Sequence, residues 1–270
     1  MSLFDFTRLW LHVAQQNAKH FSLQLRTRKM ALPTTAEKGT AMTDKREQEA
    51  SQSSHINQSK VFLESEGDGW FERNKSAVNS KSSYYETETI KRVLQSFKEN
   101  INNVLEIGCG NGAKLNDLCD YFNANGAGID PSPAAIKDGS ELHKHLRLSV
   151  ATASNLPYNN NDFDLVYFGF CLYLVDREDV FKAVAEADRV LKNGGFLAIL
   201  DFDPKQKHKR PYHHKPGLFS YKTSYSDFFT AGGHYYLVAK ESFSHGASHF
   251  ATDSDERVSV CILYKEPEAY

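Results

Sequence analysis

From residue 84 onward, short apolar runs alternate with longer stretches in which apolar side chains recur every three or four positions. Tyr85, Ile90, Val93, Leu94 and Phe97 form such a stripe between charged residues, which predicts a helix over Tyr84 to Phe97. Val104 to Ile107, Ala127 to Ile129, Leu146 to Val150, Leu165 to Phe168 and Phe196 to Leu200 are too short for helices and read as buried strands. Helices fit between them at Lys114 to Phe122, Pro133 to Leu142 and Asp176 to Leu191. This alternation calls for a parallel sheet with helices on both faces, whose ligands lie at the carboxyl ends of the strands. Toward the C-terminus the alternation stops. Tyr235 to Phe243 and Arg257 to Tyr264 are two strand-like segments joined by a polar connection without a helix, hence an antiparallel pair.

The first sixty residues follow another pattern. Residues 42–60 hold one sizeable apolar side chain beyond Met42, namely Ile56, too little to offset the entropy of ordering, so this stretch reads as a disordered linker. Ahead of it, Leu3, Phe6, Leu9, Trp10 and Val13 make a basic amphipathic stripe. Three readings of that stripe stand side by side: an extension upstream of a start at Met42, a surface or partner helix, and an organelle-targeting peptide. Residues 1–60 are thus expected to be a basic, then polar, extension to a single folded domain at 61–267.

The net charge of −2 over 270 residues divides into +4 in the first 41 and −6 in the rest, which excludes a nucleic-acid coat driven by bulk charge. Cys109, Cys119, Cys171 and Cys261 are scattered, with no C-x-x-C pair, and read as reduced thiols in a cytoplasmic setting. No apolar run approaches the roughly 18 residues of a membrane span.

The chemistry concentrates in Val104-Leu105-Glu106-Ile107-Gly108-Cys109-Gly110-Asn111-Gly112, a strand running into a glycine turn and then a helix. Such a turn brings backbone close to a ligand and presents the N–H groups of a helix start. Gly108, Gly110 and Ala113 also satisfy the nicotinamide pattern G-x-G-x-x-A, which is weak by itself. Glu106 argues against it: a carboxylate at the strand mouth crowds a pyrophosphate and suits a cationic ligand. Asp130 ends the next strand, 22 residues after Gly108, where an acid accepts hydrogen bonds from both ribose hydroxyls.

VLEIGCGNG, then GIDPSP, NLPYNNNDFDLVYFGFCLYLV and VLKNGGFLAILDFD, in this order, resemble the motif series of the class I S-adenosylmethionine-dependent methyltransferases over about Tyr84 to Asp203. The resemblance implies an α/β, Rossmann-like three-layer sandwich with a mostly parallel seven-stranded sheet and a C-terminal antiparallel hairpin. It implies S-adenosylmethionine as cofactor, with Glu106, Gly108, Gly110 and Gly112 along its methionine and ribose side and Asp130 on the ribose hydroxyls. Pro131 would continue past the adenine, Thr152 stands where the family commonly carries an acid, and Ala153 would supply backbone groups. Phe168, Gly169 and Phe170 would face the methionine portion and the acceptor. The segment 61–83 falls where the family places a lid.

Methyl transfer from a sulfonium needs alignment first, and a general base helps when the acceptor is a hydroxyl or a protonated amine. Trp70, Phe71 and Arg73 in the lid, with Phe170 and Tyr221, are the expected acceptor contacts, and His213 or His214 the expected base. Packing explains the two lid aromatics equally well, and a solvated basic loop explains the two histidines. His208, His213 and His214 lack a fourth ligand and helical spacing, so no metal is expected. The acceptor is expected to be a small molecule rather than a nucleic acid, since no basic stripe with interleaved aromatics is present. The alternatives are a cofactor-binding interaction protein without transfer activity and a nicotinamide-dependent oxidoreductase.

Overall fold

The computed structural model describes residues 56–80 and 84–268; the N-terminal stripe from Leu3 to Val13 and the polar residues 42–55 lie outside the described residues. The strands are β1 (Asn103–Ile107), β2 (Asn125–Asp130), β3 (Arg147–Val150), β4 (Phe163–Gly169), β5 (Leu191–Phe202), β6 (His208–Pro211), β7 (Phe219–Lys222), β8 (Tyr235–Ser244) and β9 (Arg257–Lys265). Seven form one sheet in the order β3-β2-β1-β4-β5-β9-β8, parallel from β3 through β5 and antiparallel at β5–β9 and β9–β8. This is the Rossmann-like sandwich with a terminal antiparallel hairpin that the sequence implies.

Side chains of the central strands alternate between the two faces, and both faces are dry. Leu105, Ile107, Ile129, Val166, Phe168, Leu197 and Ile199 pack against Val180, Ala183, Ala187 and Val190 of α6 (Val180–Val190). Val104, Leu165, Tyr167, Ala198 and Leu200 pack against Leu115, Leu118 and Phe122 of α4 (Ala113–Phe122) and against Ile90 of α3 (Tyr85–Val93). Pro133 and the N-cap Ser132, whose Oγ accepts from the Ala135 N–H, start α5 (Pro133–Leu142).

Several boundaries differ from expectation. The helix expected over Tyr84 to Phe97 ends at Val93 and continues as a 3-10 turn at Gln95–Asn100. The helix expected from Asp176 begins at Val180, because Asp176 and Asp179 are drawn into contacts with the N-terminal segment. The polar linker does not run to residue 60. Gln58 is 1% exposed in a short helix α1 (Gln58–Val61), its amide donating to the carbonyls of Leu174 and Phe219 and accepting from the Phe219 N–H, while its backbone N–H donates to Asp176. Polarity here marks a buried hydrogen-bond hub rather than solvent. The stretch from Asp201 to Tyr225 contains a two-stranded sheet, β6–β7. The short helix α7 (Asp227–Thr230) precedes β8. Among the described residues no helix is long and apolar enough to cross a membrane.

Candidate active site

The strand order reverses between β1 and β4, and the loops leaving their carboxyl ends open a cleft of about 520 Å³. Its floor is the β1–α4 loop, the end of β2 and the Thr152–Ser154 turn; its roof is a π-helical turn (Phe62–Glu66) and α2 (Gly67–Ser80). The far wall comes from Phe170 after β4 and from Phe243 through Ser248 at the β8–β9 connection.

Glu106 sits on β1 between β2 and β4, 1% exposed, and its Oε2 has no hydrogen-bond partner among the described residues. Burial lifts its pKa to about 8 against the pull of the Lys114 ammonium, with the Glu86 and Asp130 carboxylates adding to the rise. Lys114 also forms an ion pair with Glu86 at 3.2 Å. A buried carboxyl in a cleft lining, with one oxygen left unpartnered, is suited to receive a cation. Asp130 takes the Gly110 N–H on Oδ2 and the Ser132 N–H on Oδ1, both at 2.9 Å, leaving lone pairs on each oxygen. Burial outweighs those two bonds and places its pKa at about 6.

The glycine turn does two jobs. At Gly110 (φ +54°) the space a Cβ would take is open and belongs to the cleft. At Gly108 (φ +77°) a Cβ would stand 2.6 Å from Cβ of Cys171, so this residue lets the β1 and β4 loops touch. The roof is fastened at both ends. Asp68 on α2 accepts from the Ser132 hydroxyl at 2.6 Å and from the Ala134 N–H at 3.0 Å, and buried Glu66 binds Arg73 and the Tyr212 hydroxyl.

Of the residues expected to hold the cofactor, Glu106, Gly108, Gly110, Asp130, Pro131, Thr152 and Ala153 line the cleft. Thr152, in the place of the family's acid, shares a hydrogen bond with the Ser154 hydroxyl at 3.3 Å. Gly112 and Phe168 do not line it. A Cβ on Gly112 would meet Leu146 and Leu148 in the core, and Phe168 is fully buried on the α6 face, 6.4 Å from the Phe229 ring. Of the expected acceptor contacts, Trp70, Phe71 and Phe170 line the cleft. Arg73 is engaged by Glu66 and Tyr212 and braces the roof, and the Tyr221 hydroxyl donates to Asp176; neither residue lines the cleft. His213 and His214 are exposed on the turn between β6 and β7 and do not line the cleft. Among the described residues no cluster of metal-ligand side chains occurs.

Sequence reasoning missed Lys114, Glu86, Asp68 and His245. His245 lies in the β8–β9 connection, lines the cleft and packs against the rings of Phe170 at 5.2 Å and Phe202 at 5.9 Å. Its one local cue is the His-Gly turn pair directly after a strand.

Residues 105–199 match the family model described as a methyltransferase domain. The chain is 35% identical over 102 residues to a demethylmenaquinone methyltransferase of Staphylococcus haemolyticus, covering 36% of this chain and 42% of that protein. It is 35% identical over 98 residues to a Bacillus subtilis protein whose name assigns it provisionally to 23S rRNA guanine-N1 methylation, covering 35% of this chain and 32% of that protein. The chain spans about a third to a half of the length of the curated relatives it matches. Its fold resembles that of the Burkholderia thailandensis 1,6-didemethyltoxoflavin-N1-methyltransferase, solved with its acceptor and S-adenosylhomocysteine. The TM-score is 0.59 at 13% identity, over 86% of this chain and 94% of that one.

Proposed function

We propose that residues 105–199, which match a methyltransferase domain, form a class I S-adenosylmethionine-dependent methyltransferase domain, and that the protein transfers a methyl group in line to a small-molecule acceptor held under the α2 roof. The observation that carries this reading is the buried Glu106, which lines the cleft together with Asp130 and leaves its Oε2 without a hydrogen-bond partner among the described residues. These residues fit the cofactor. Glu106 would meet its cationic methionine end, Asp130 its ribose hydroxyls, and the open side of Gly110 allows close backbone approach. When bound, the cofactor supplies an electrophilic methyl on a sulfonium.

The chain supplies the rest. Trp70 in the roof and Phe170 in the wall keep water out and hold the acceptor, with the buried Phe71 packed behind them, and alignment of this kind contributes up to roughly 7–11 kcal/mol. His245, which lines the cleft, replaces His213 and His214 as the group that takes the acceptor proton at its imidazole. Cleft size supports a small acceptor: about 520 Å³ falls within the roughly 300–1,000 Å³ of small-molecule sites. Charge supports it as well, since Lys114 is the one Lys or Arg among the described lining residues and it is paired with Glu86. Reduced thiols at all four cysteines support a cytoplasmic setting.

Incubation of the full chain with methyl-labelled S-adenosylmethionine, together with either a small-metabolite extract or total RNA, tests the acceptor class. Label is expected in the metabolite fraction. Label in RNA alone, or in a protein fraction added as a third arm, overturns the small-molecule reading, and label in no fraction overturns the transferase reading.

A further inference from the structure

The wall opposite the cofactor residues carries information about the acceptor. Phe170 directly follows β4 with φ +72°, a backbone conformation that bulky side chains rarely adopt. The strained residue is half-buried, packs against the core from its edge and also lines the cleft. Around it stand His245, tilted 33° to it, and Phe202, inclined 24° to His245, while the Tyr173 ring backs it at 4.9 Å. Phe243 and Tyr85, in edge contact at 4.7 Å, also line the cleft. The result is a wall of aromatic rings set in a lining that also includes aliphatic side chains such as Leu174, Val175 and Leu200.

The charges define the acceptor from the other side. Glu86, Glu106, Lys114 and Asp130 are the lining Asp, Glu, Lys and Arg side chains among the described residues. Glu106 and Asp130 are taken by the cofactor in the methyltransferase reading, and Glu86 and Lys114 neutralise each other at 3.2 Å. A charged acceptor would thus enter without a free counter-charge. We propose that the acceptor is an uncharged, planar aromatic molecule whose ring lies against the Phe170–His245 wall, an assignment that rests on the methyltransferase reading and goes beyond it.

Calorimetric titration of the full chain, loaded with S-adenosylhomocysteine, tests this with four probes: 2-naphthol, its saturated counterpart 2-decalol, 2-naphthoate and 2-naphthyltrimethylammonium. The proposal expects saturable 2-naphthol binding at least about tenfold tighter than that of the other three. It also expects Phe170→Leu to weaken 2-naphthol by about tenfold, a larger loss than the same variant shows for S-adenosylhomocysteine. If Phe170→Leu does not fold, Phe243→Leu replaces it with the same expectation. Equal or tighter binding of 2-decalol overturns the aromatic assignment, and equal or tighter binding of either ion overturns the uncharged one. Binding of S-adenosylhomocysteine without any 2-naphthol binding, or a variant that binds 2-naphthol as well as the parent, overturns the proposal while leaving the methyltransferase reading intact. Failure to bind S-adenosylhomocysteine overturns both.

Discussion

Glu106→Gln is the perturbation whose consequences follow most directly from the structure. In the folded apo protein the carboxyl is buried, lacks a partner at Oε2 and titrates at about 8 instead of its ordinary 4.5. Between those two values the folded chain keeps a proton that the unfolded chain has released, so stability falls as pH rises through that window. The full difference amounts to roughly 5 kcal/mol above pH 8. Glu106→Gln removes that slope, so the variant is more stable than the parent at pH 8 by up to that amount and similar to it near pH 4.5. Asp201, also raised by burial to about 8, contributes equally to both proteins and cancels in the difference, whereas Asp130, raised to about 6, interacts with Glu106 and adds a smaller difference of its own. Binding of a cation reverses the penalty by ionising Glu106. At pH 7 the group is mostly protonated, so S-adenosylmethionine binding releases a proton from it, and none from the variant. Denaturant unfolding from pH 5 to 8 and calorimetric titrations in two buffers of different ionisation enthalpy read the two effects. Parallel pH profiles for parent and variant, or equal proton release, would refute the reasoning.

Other consequences are simpler to test. Gly108→Ala puts a methyl group 2.6 Å from Cβ of Cys171 at a positive φ, and should lower the unfolding free energy by about 1–3 kcal/mol and weaken S-adenosylhomocysteine binding, read by thermal unfolding and calorimetry. Asp68→Ala removes the acceptor for Ser132 and Ala134 and should cost about 1 kcal/mol of stability; hydrogen exchange should rise in α2 more than in β1. His245→Gln should lower the rate of label transfer with little change in S-adenosylhomocysteine affinity, whereas a combined His213→Ala and His214→Ala variant should transfer label at the parental rate.

The sheet was legible because its signals are local. A strand, a glycine turn and a helix start occupy consecutive residues from Val104 to Phe122, and Asp130 falls at the end of the very next strand, so one window holds the cofactor half of the cleft. Phe168 lies within β4 with its side chain on the α6 face, while Phe170, past the strand end at φ +72°, leaves the strand's alternation and lines the cleft. The acceptor half was hidden because its parts are far apart in the chain. Trp70 comes from the roof and His245 from a connection more than a hundred residues beyond β1, and neither stretch has a period to announce it. Gln58 shows the same limit from the packing side: a lone glutamine in a polar run gives no sign that Leu174 and Phe219 will bond it. His213 and His214 drew the eye as an adjacent pair, but the β6–β7 hairpin holds them on the outside.

The central claim is that the Glu106–Asp130 cleft selects S-adenosylmethionine and its product over a dinucleotide. Calorimetric titration of the full chain with S-adenosylhomocysteine and, separately, with NAD tests it most directly. The account predicts saturable binding of S-adenosylhomocysteine, weakened at least about tenfold by Asp130→Ala, and no binding of NAD. Saturable NAD binding with none of S-adenosylhomocysteine would contradict it.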